Sequence, residues 1–220
     1  MKMREGDRIV LAFDGSHGRE DAPPDSTVIV GLRMPDERHD KPHIFVPKYI
    51  GADTIWEAPP ENWQSWHVPV LEVDAAMREL HHRYVMVAMA CDPSGWEQVL
   101  AGWEADFGDR AIVKCSERGV FTWPIKSARR NAEAVDLLGQ AIRRGNLTHD
   151  GNETLRRHVL NARMRPTGEG WKYLTIGKER DGSPRKIDAA WGAVMAWRLY
   201  LEVLKVPSGR KSSRARFTDY

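Results

Sequence analysis

The sequence predicts a mixed α/β domain: a three-strand antiparallel meander, extended by parallel strands and flanked by helices. Three observations carry this. Three apolar runs follow one another near the start, joined by turn-like connections. Helical 3-4 spacing then alternates with two further apolar runs. A long stretch from Ile187 to Leu204 closes the pattern with its own helical periodicity. At 220 residues the chain is long enough for one well-buried core, so residues 1–206 are expected to form a single domain.

The first run, Arg8 to Asp14, contains Ile9, Val10, Leu11, Ala12 and Phe13 without a break, the mark of a strand buried on both faces. Asp14 ends it and Gly15-Ser16 open a turn. A second run centres on Val28 to Leu32, and His43 to Gly51 supplies a third, in which Pro47 demotes part of the strand to an edge or bulge. Residues 51–69, with their prolines and three tryptophans (Trp56, Trp63, Trp66), read as a long loop. Val70, Val73, Met77, Leu80 and Tyr84 mark a helix face, and Val85 to Cys91 is the next buried strand, ending in Asp92-Pro93. Ser94 and Glu97 fit a capping box at the start of a helix, and Ala111 to Cys115 reads as a fifth strand.

Ser127 fits the cap of a helix closed by Gly145, a shorter helix spans Glu153 to Arg163, and Trp171 to Ile176 is extended. Ser183 and Pro184 fit the N-cap and first position of the last helix, with Asp188 in its first turns at the boundary of the apolar face. Residues 207–220 are basic and poor in apolar side chains, so a mobile tail is expected.

Composition excludes several classes. No apolar run approaches 18 residues and no signal peptide is present, so neither a membrane span nor secretion is expected. Two cysteines, Cys91 and Cys115, without CxxC spacing argue against zinc or a disulfide framework. The formal net charge is +2, but it is unevenly spread. Residues 1–74 hold 14 acidic and 8 basic residues, the remainder 17 and 25. The acidic half suits a cation site and the basic half a polyanion surface, although ordinary solvated faces account for both.

Asp14 and Asp92 each follow a buried strand, and Asp188 opens an apolar helix. Were the first and fourth strands neighbours, with the last helix packed across them, the three carboxylates would converge. Close carboxylates repel unless cations lie between them, and oxygen-only ligands favour Mg²⁺ or Mn²⁺. Two such ions would activate a water against a phosphodiester. Two turn aspartates and one helix-start aspartate describe the same residues.

Apolar strand–D-G-S, apolar strand–D-P and K-I-D-A-A at a helix start together resemble the nuclease domain of the large terminase subunit of tailed double-stranded-DNA phages, over Arg8 to about Leu204. KIDAAWGAVMAW is the most specific piece, and GNLTHDGNETLRRHVLNA resembles the stretch preceding it in that family. The resemblance implies an RNase H-like fold and an endonuclease that cuts concatemeric viral DNA during packaging, leaving 3′-hydroxyl and 5′-phosphate ends. It implies Asp14, Asp92 and Asp188 as the metal-binding catalytic triad with two Mg²⁺ or Mn²⁺ ions, and Lys178 as a contact to the scissile phosphate. Implied partners are double-stranded DNA, the terminase ATPase motor, the small terminase subunit and the portal. The implied location is the host cytoplasm, transiently at the procapsid portal, and a monomer is expected for the isolated domain. Large terminases carry an ATPase with a phosphate-binding loop. No G-x-x-x-x-G-K-[ST] occurs here, because Lys172 stands where the first glycine would be needed before Gly177-Lys178. No ATPase domain is therefore expected within this chain, which would not translocate DNA by itself.

Weaker candidates surround the triad. Ser16 and His17 are candidates for supporting contacts behind the metal ligands, and Glu20, Asp21 or Asp25 for a further carboxylate. His81 and His82 fall late in a helix and receive no ligand role. Two other readings stay open: another RNase H-like nuclease of resolvase, transposase or ribonuclease H type, and a non-catalytic docking domain with structural carboxylates.

Overall fold

The structure of the chain, a computed structural model, describes residues 3–16, 23–117 and 119–207. The His17, Glu20 and Asp21 expectations lie outside them, as does all of the basic tail beyond Pro207. Strand β1 (Arg8–Asp14) pairs antiparallel with β2 (Thr27–Arg33), and β2 with β3 (His43–Phe45), which is the expected meander. The third run stops short at Pro47, which has no amide proton for the ladder. The chain turns instead through a small hairpin, β4 (Lys48–Tyr49) and β5 (Ala52–Asp53), and β6 (Ile55–Trp56) returns to the start of β2.

After helix α1 (Val70–Arg83), β7 (Val85–Cys91) runs parallel to β1 on its free side, with a bulge opposite Ile9 and Val10. Then come α2 (Glu97–Phe107), α3 (Ala128–Arg143), β8 (Thr148–His149) and α4 (Glu153–Asn161). A hairpin of β9 (Arg163–Thr167) and β10 (Tyr173–Gly177) precedes α5 (Asp188–Leu204). The strand order is β7-β1-β2-β3-β8, with β8 parallel to β3 and β6 attached to β2.

Alternation along β1 divides the core. Ile9, Leu11 and Phe13 pack with residues of α1 and α2, and Phe13 meets Trp96 and Trp103 edge-on at 4.9 and 5.1 Å. Val10 and Ala12 point the other way, into a cluster with α3 and α5. Both faces are covered, hence the unbroken apolar run. Helix α5 lies close to the sheet because small residues line it: Ala189, Ala193 and Ala196 are buried, and a Cβ on Gly192 would stand 2.7 Å from Cγ2 of Val30.

Four local expectations need correction. Ala111 to Cys115 forms no ladder strand; one bond from Ile112 N–H to the Val87 carbonyl (2.8 Å) ties it to β7. The Ser94–Glu97 capping box does not form. The Asp92 carboxylate takes the Ser94 amide at 2.8 Å, and Glu97 reaches the Gly95 amide at 3.1 Å. Ser183-Pro184 does not start α5, because the Ser183 hydroxyl accepts the Arg185 amide in a local turn and the helix opens at Asp188. Residue 163, read as a helix end, begins β9. The Ser127 cap is present, accepting the Arg130 amide, and Asn152 caps α4 through the Leu155 amide at 2.9 Å.

Candidate active site

Asp14 is the next even position after Val10 and Ala12 on β1, so its carboxylate lies on the face that α5 covers. Asp92 follows Cys91 and continues the parallel pairing, its amide donating to the Phe13 carbonyl at 2.9 Å. The two carboxylates thus stand together at the carboxyl ends of adjacent parallel strands, where α/β sheets commonly open a crevice. They line one cleft of about 170 Å³ with Trp123, Ile125, Asn131, Trp191 and Met195. Gly15 must be small here: a Cβ would fall 2.3 Å from Nε1 of Trp96.

Asp188 opens α5, one turn before Trp191, and is buried. It does not line that cleft, but it acts on it. Burial pushes the Asp14 carboxyl well above the usual carboxylate range, and the charges of Asp188, Asp92 and Asp25 push it the same way. Asp188 is raised too, first by burial and then by Asp25. Among the described residues no ion pair neutralises Asp14, Asp92 or Asp188, and no three His, Cys, Asp or Glu side chains are already arranged to hold an ion. The donor chemistry fits a hard divalent cation, since hard oxygens and uncompensated negative charge are what such an ion relieves.

The remaining candidates separate. Lys178 follows β10, and its ammonium pairs with Asp25 rather than lining the Asp14–Asp92 cleft. Lys186, two residues before Asp188, was not singled out by the sequence. It is buried, 3.6 Å from Asp25 and bonded to the Pro24 carbonyl, and burial lowers its pKa. Asp25 is therefore a fourth carboxylate near the site, but one already matched by two lysines. Ser16 is buried and held by its amide on the Thr27 hydroxyl at 3.0 Å. His81 is structural, stacked on Phe107 at 3.9 Å with Nδ1 against the Met77 carbonyl; burial holds its pKa down at about 4.

Two further residues went unnoticed in the sequence. Glu57 and the fully buried His158 lie 2.8 Å apart behind Asp188. Burial of Glu57 opposes its ionisation, but hydrogen bonds from His158, Arg157 and Ser26 prevail and hold its carboxyl down at about 2. The available signal was Leu155-x-x-His158, which sets a histidine on the same helix face as an apolar anchor.

No protein-family model matches the chain. It is 31% identical over 212 residues to the Gene 13 protein of Mycobacterium phage L5, covering 94% of this chain and 32% of that protein. The Gene 13 protein of Mycobacterium phage D29 is likewise 31% identical, over 209 residues and with the same 32% share. The chain thus spans about a third of the length of the curated relatives it matches. Among solved structures, it superposes on the large terminase nuclease from thermophilic phage G20c with a TM-score of 0.57 at 13% identity, over 90% of this chain and 86% of that one. The HK97 bacteriophage large terminase gives 0.54 at 15% identity, over 90% of this chain and 40% of that one. The mixed sheet with its flanking helices is the RNase H-like fold of large terminase nuclease domains.

Proposed function

We propose that the chain is a divalent-metal-dependent endonuclease domain that hydrolyses phosphodiesters of double-stranded DNA, cutting concatemeric viral DNA during genome packaging. One observation carries this reading. On a terminase-nuclease fold, Asp14 and Asp92 end neighbouring parallel strands under a helix whose first residue, Asp188, raises the Asp14 pKa. Asp14, Asp92 and Asp188 would hold Mg²⁺ or Mn²⁺, with two ions as the working stoichiometry. When bound, such ions lower the pKa of a coordinated water and stabilise the leaving oxygen.

The chain's own residues do the rest. Asp14 and Asp92 leave adjacent strands of a sheet packed on both faces and Asp188 is buried at the start of α5, which fixes their positions, so little reorganisation is needed at the moment of reaction. Lys178, now paired with Asp25, would supply positive charge to a phosphate approaching the site. Contacts of this kind position a backbone without reading bases, so sequence preference is expected to be slight. In a packaging role the partners would be double-stranded DNA, an ATPase motor, the small terminase subunit and the portal, in the host cytoplasm. Residues 1–206 would form the nuclease domain and 207–220 a basic tail.

The test is a supercoiled-plasmid assay with Mn²⁺, Mg²⁺ or EDTA on the wild type and Asp188→Ala. Cutting that requires both metal and Asp188 is expected. A second reading, a docking domain, is favoured by the lack of three convergent ligands among the described residues; well-folded protein that cuts in no metal would support it.

A further inference from the structure

Behind Asp188 a closed circuit of hydrogen bonds joins four segments of the chain. The Ser26 amide donates to Asp188 Oδ2 at 3.3 Å. The Ser26 hydroxyl donates to Glu57 Oε1 at 2.8 Å. The same oxygen accepts His158 Nε2 at 2.8 Å. Nδ1 of His158 then accepts the Ala189 amide at 3.0 Å, which returns the circuit to the residue beside Asp188. An amide only donates, so Nδ1 must present its lone pair and the ring proton sits on Nε2, facing Glu57. The other Glu57 oxygen takes Arg157 at 2.5 Å.

We propose that Glu57 and His158 are positioning residues that hold Asp188, as a prospective metal ligand, in place from both sides, through Ser26 on its carboxylate and through the Ala189 amide on its backbone. The proposal rests on the metal-dependent nuclease reading. Its physical basis is that a helix opening at Asp188, with no side-chain cap of its own, leaves its first amides in need of acceptors. His158 supplies one of them, and a buried imidazole with both nitrogens bonded has little freedom to rotate. The carboxylate and the backbone that carries it are thereby tied to one rigid group. Neither residue touches the Asp14–Asp92 cleft, so their effect runs through Asp188 alone. Groups of this kind behind a metal ligand typically change affinity by about 10- to 100-fold when lost.

Calorimetric titration of the metal-free 220-residue chain with Mn²⁺, alongside thermal midpoints and plasmid cutting, tests the idea. Ser26→Ala removes only the hydroxyl link and is the variant least able to disturb folding. His158→Asn keeps an acceptor for Ala189 but no donor to Glu57, His158→Gln the reverse, and His158→Phe loses both. Ser26→Ala and His158→Asn are each expected to weaken Mn²⁺ binding about tenfold, and His158→Phe more than either partial mimic. Combining Ser26→Ala with His158→Asn should weaken binding by less than the product, since both open one circuit. If Asp188→Asn loses Mn²⁺ while Ser26→Ala and His158→Phe bind it as the wild type does, the positioning role is wrong and the pair serves only the fold. If the wild type itself neither binds Mn²⁺ nor cuts, the nuclease reading falls and takes this inference with it.

Discussion

At the amino-terminal end of β1, Asp7 and Asp36 are matched by arginines: Arg38 lies 2.6 Å from each, and Arg33 lies 3.1 Å from Asp36. Hydrogen bonds from Arg38 and Arg33 hold the Asp36 carboxyl well below the usual range. At the carboxyl end of the same strand, Asp14, Asp92 and Asp188 have no such partner among the described residues, and Asp14 is raised. One end of the strand satisfies its charges internally. The other has no counter-charge among the described residues, and it is this contrast, more than residue type, on which the proposed metal site rests.

The largest effect should come from neutralising the unmatched end. Asp14→Asn or Asp188→Asn is expected to lower metal-dependent plasmid cutting by about 10³-fold or more, the loss of several kcal/mol of charge stabilisation. Metal should also stabilise the folded state. At about 100 times its dissociation constant, Mg²⁺ would add about 2.7 kcal/mol at neutral pH, reversed by EDTA and absent in Asp14→Asn.

The pH dependence has a definite sign. A carboxylate whose pKa is raised by folding destabilises the native state when ionised, so in the metal-free protein Asp14 should cost less stability as pH falls through its native pKa towards its unfolded value. Thermal midpoints of wild type and Asp14→Asn should therefore converge at acid pH and diverge towards neutrality, with the variant higher. Next in size, Gly192→Val would drive a branched side chain into Val30 and lower stability by about 1–3 kcal/mol, measured by denaturant unfolding. Smallest is Arg38→Ala at the matched end. Its guanidinium is part-exposed but also pairs with the buried Asp7 carboxylate, so a modest fall in midpoint with unchanged cutting is expected. Loss of cutting there would erase the distinction between the two ends.

Much of this arrangement was legible in the sequence wherever periodicity or a strand-end signal was strong. The unbroken run Ile9 to Phe13 declared a strand covered on both faces, and the pairing of β1 with β7 brings Asp14 and Asp92 together. The KIDAA stretch and its apolar periodicity marked α5, although Ser183-Pro184 put its start too early. What stayed hidden depends on tertiary partners. Thr148–His149 carries no strand pattern and is extended only because β3 offers an edge. Ala111 to Cys115 has a strand's composition but meets β7 at a single bond. Ser94 and Glu97 have capping-box spacing, yet Asp92 claims the local amide first. His158 and Glu57, about a hundred positions apart, acquire meaning only when the fold places both behind Asp188. No local window contains that relation.

The placement of α5 has a consequence for how the protein comes into being. Synthesis proceeds from the amino terminus, so Asp14 and Asp92 leave the ribosome well before the helix that carries Asp188 and roofs their cleft with Trp191 and Met195. A chain interrupted anywhere ahead of α5 would display two carboxylates on an uncovered sheet and nothing to complete them. On the nuclease reading, an unfinished molecule would therefore lack the third metal ligand, and cutting would wait for the end of synthesis.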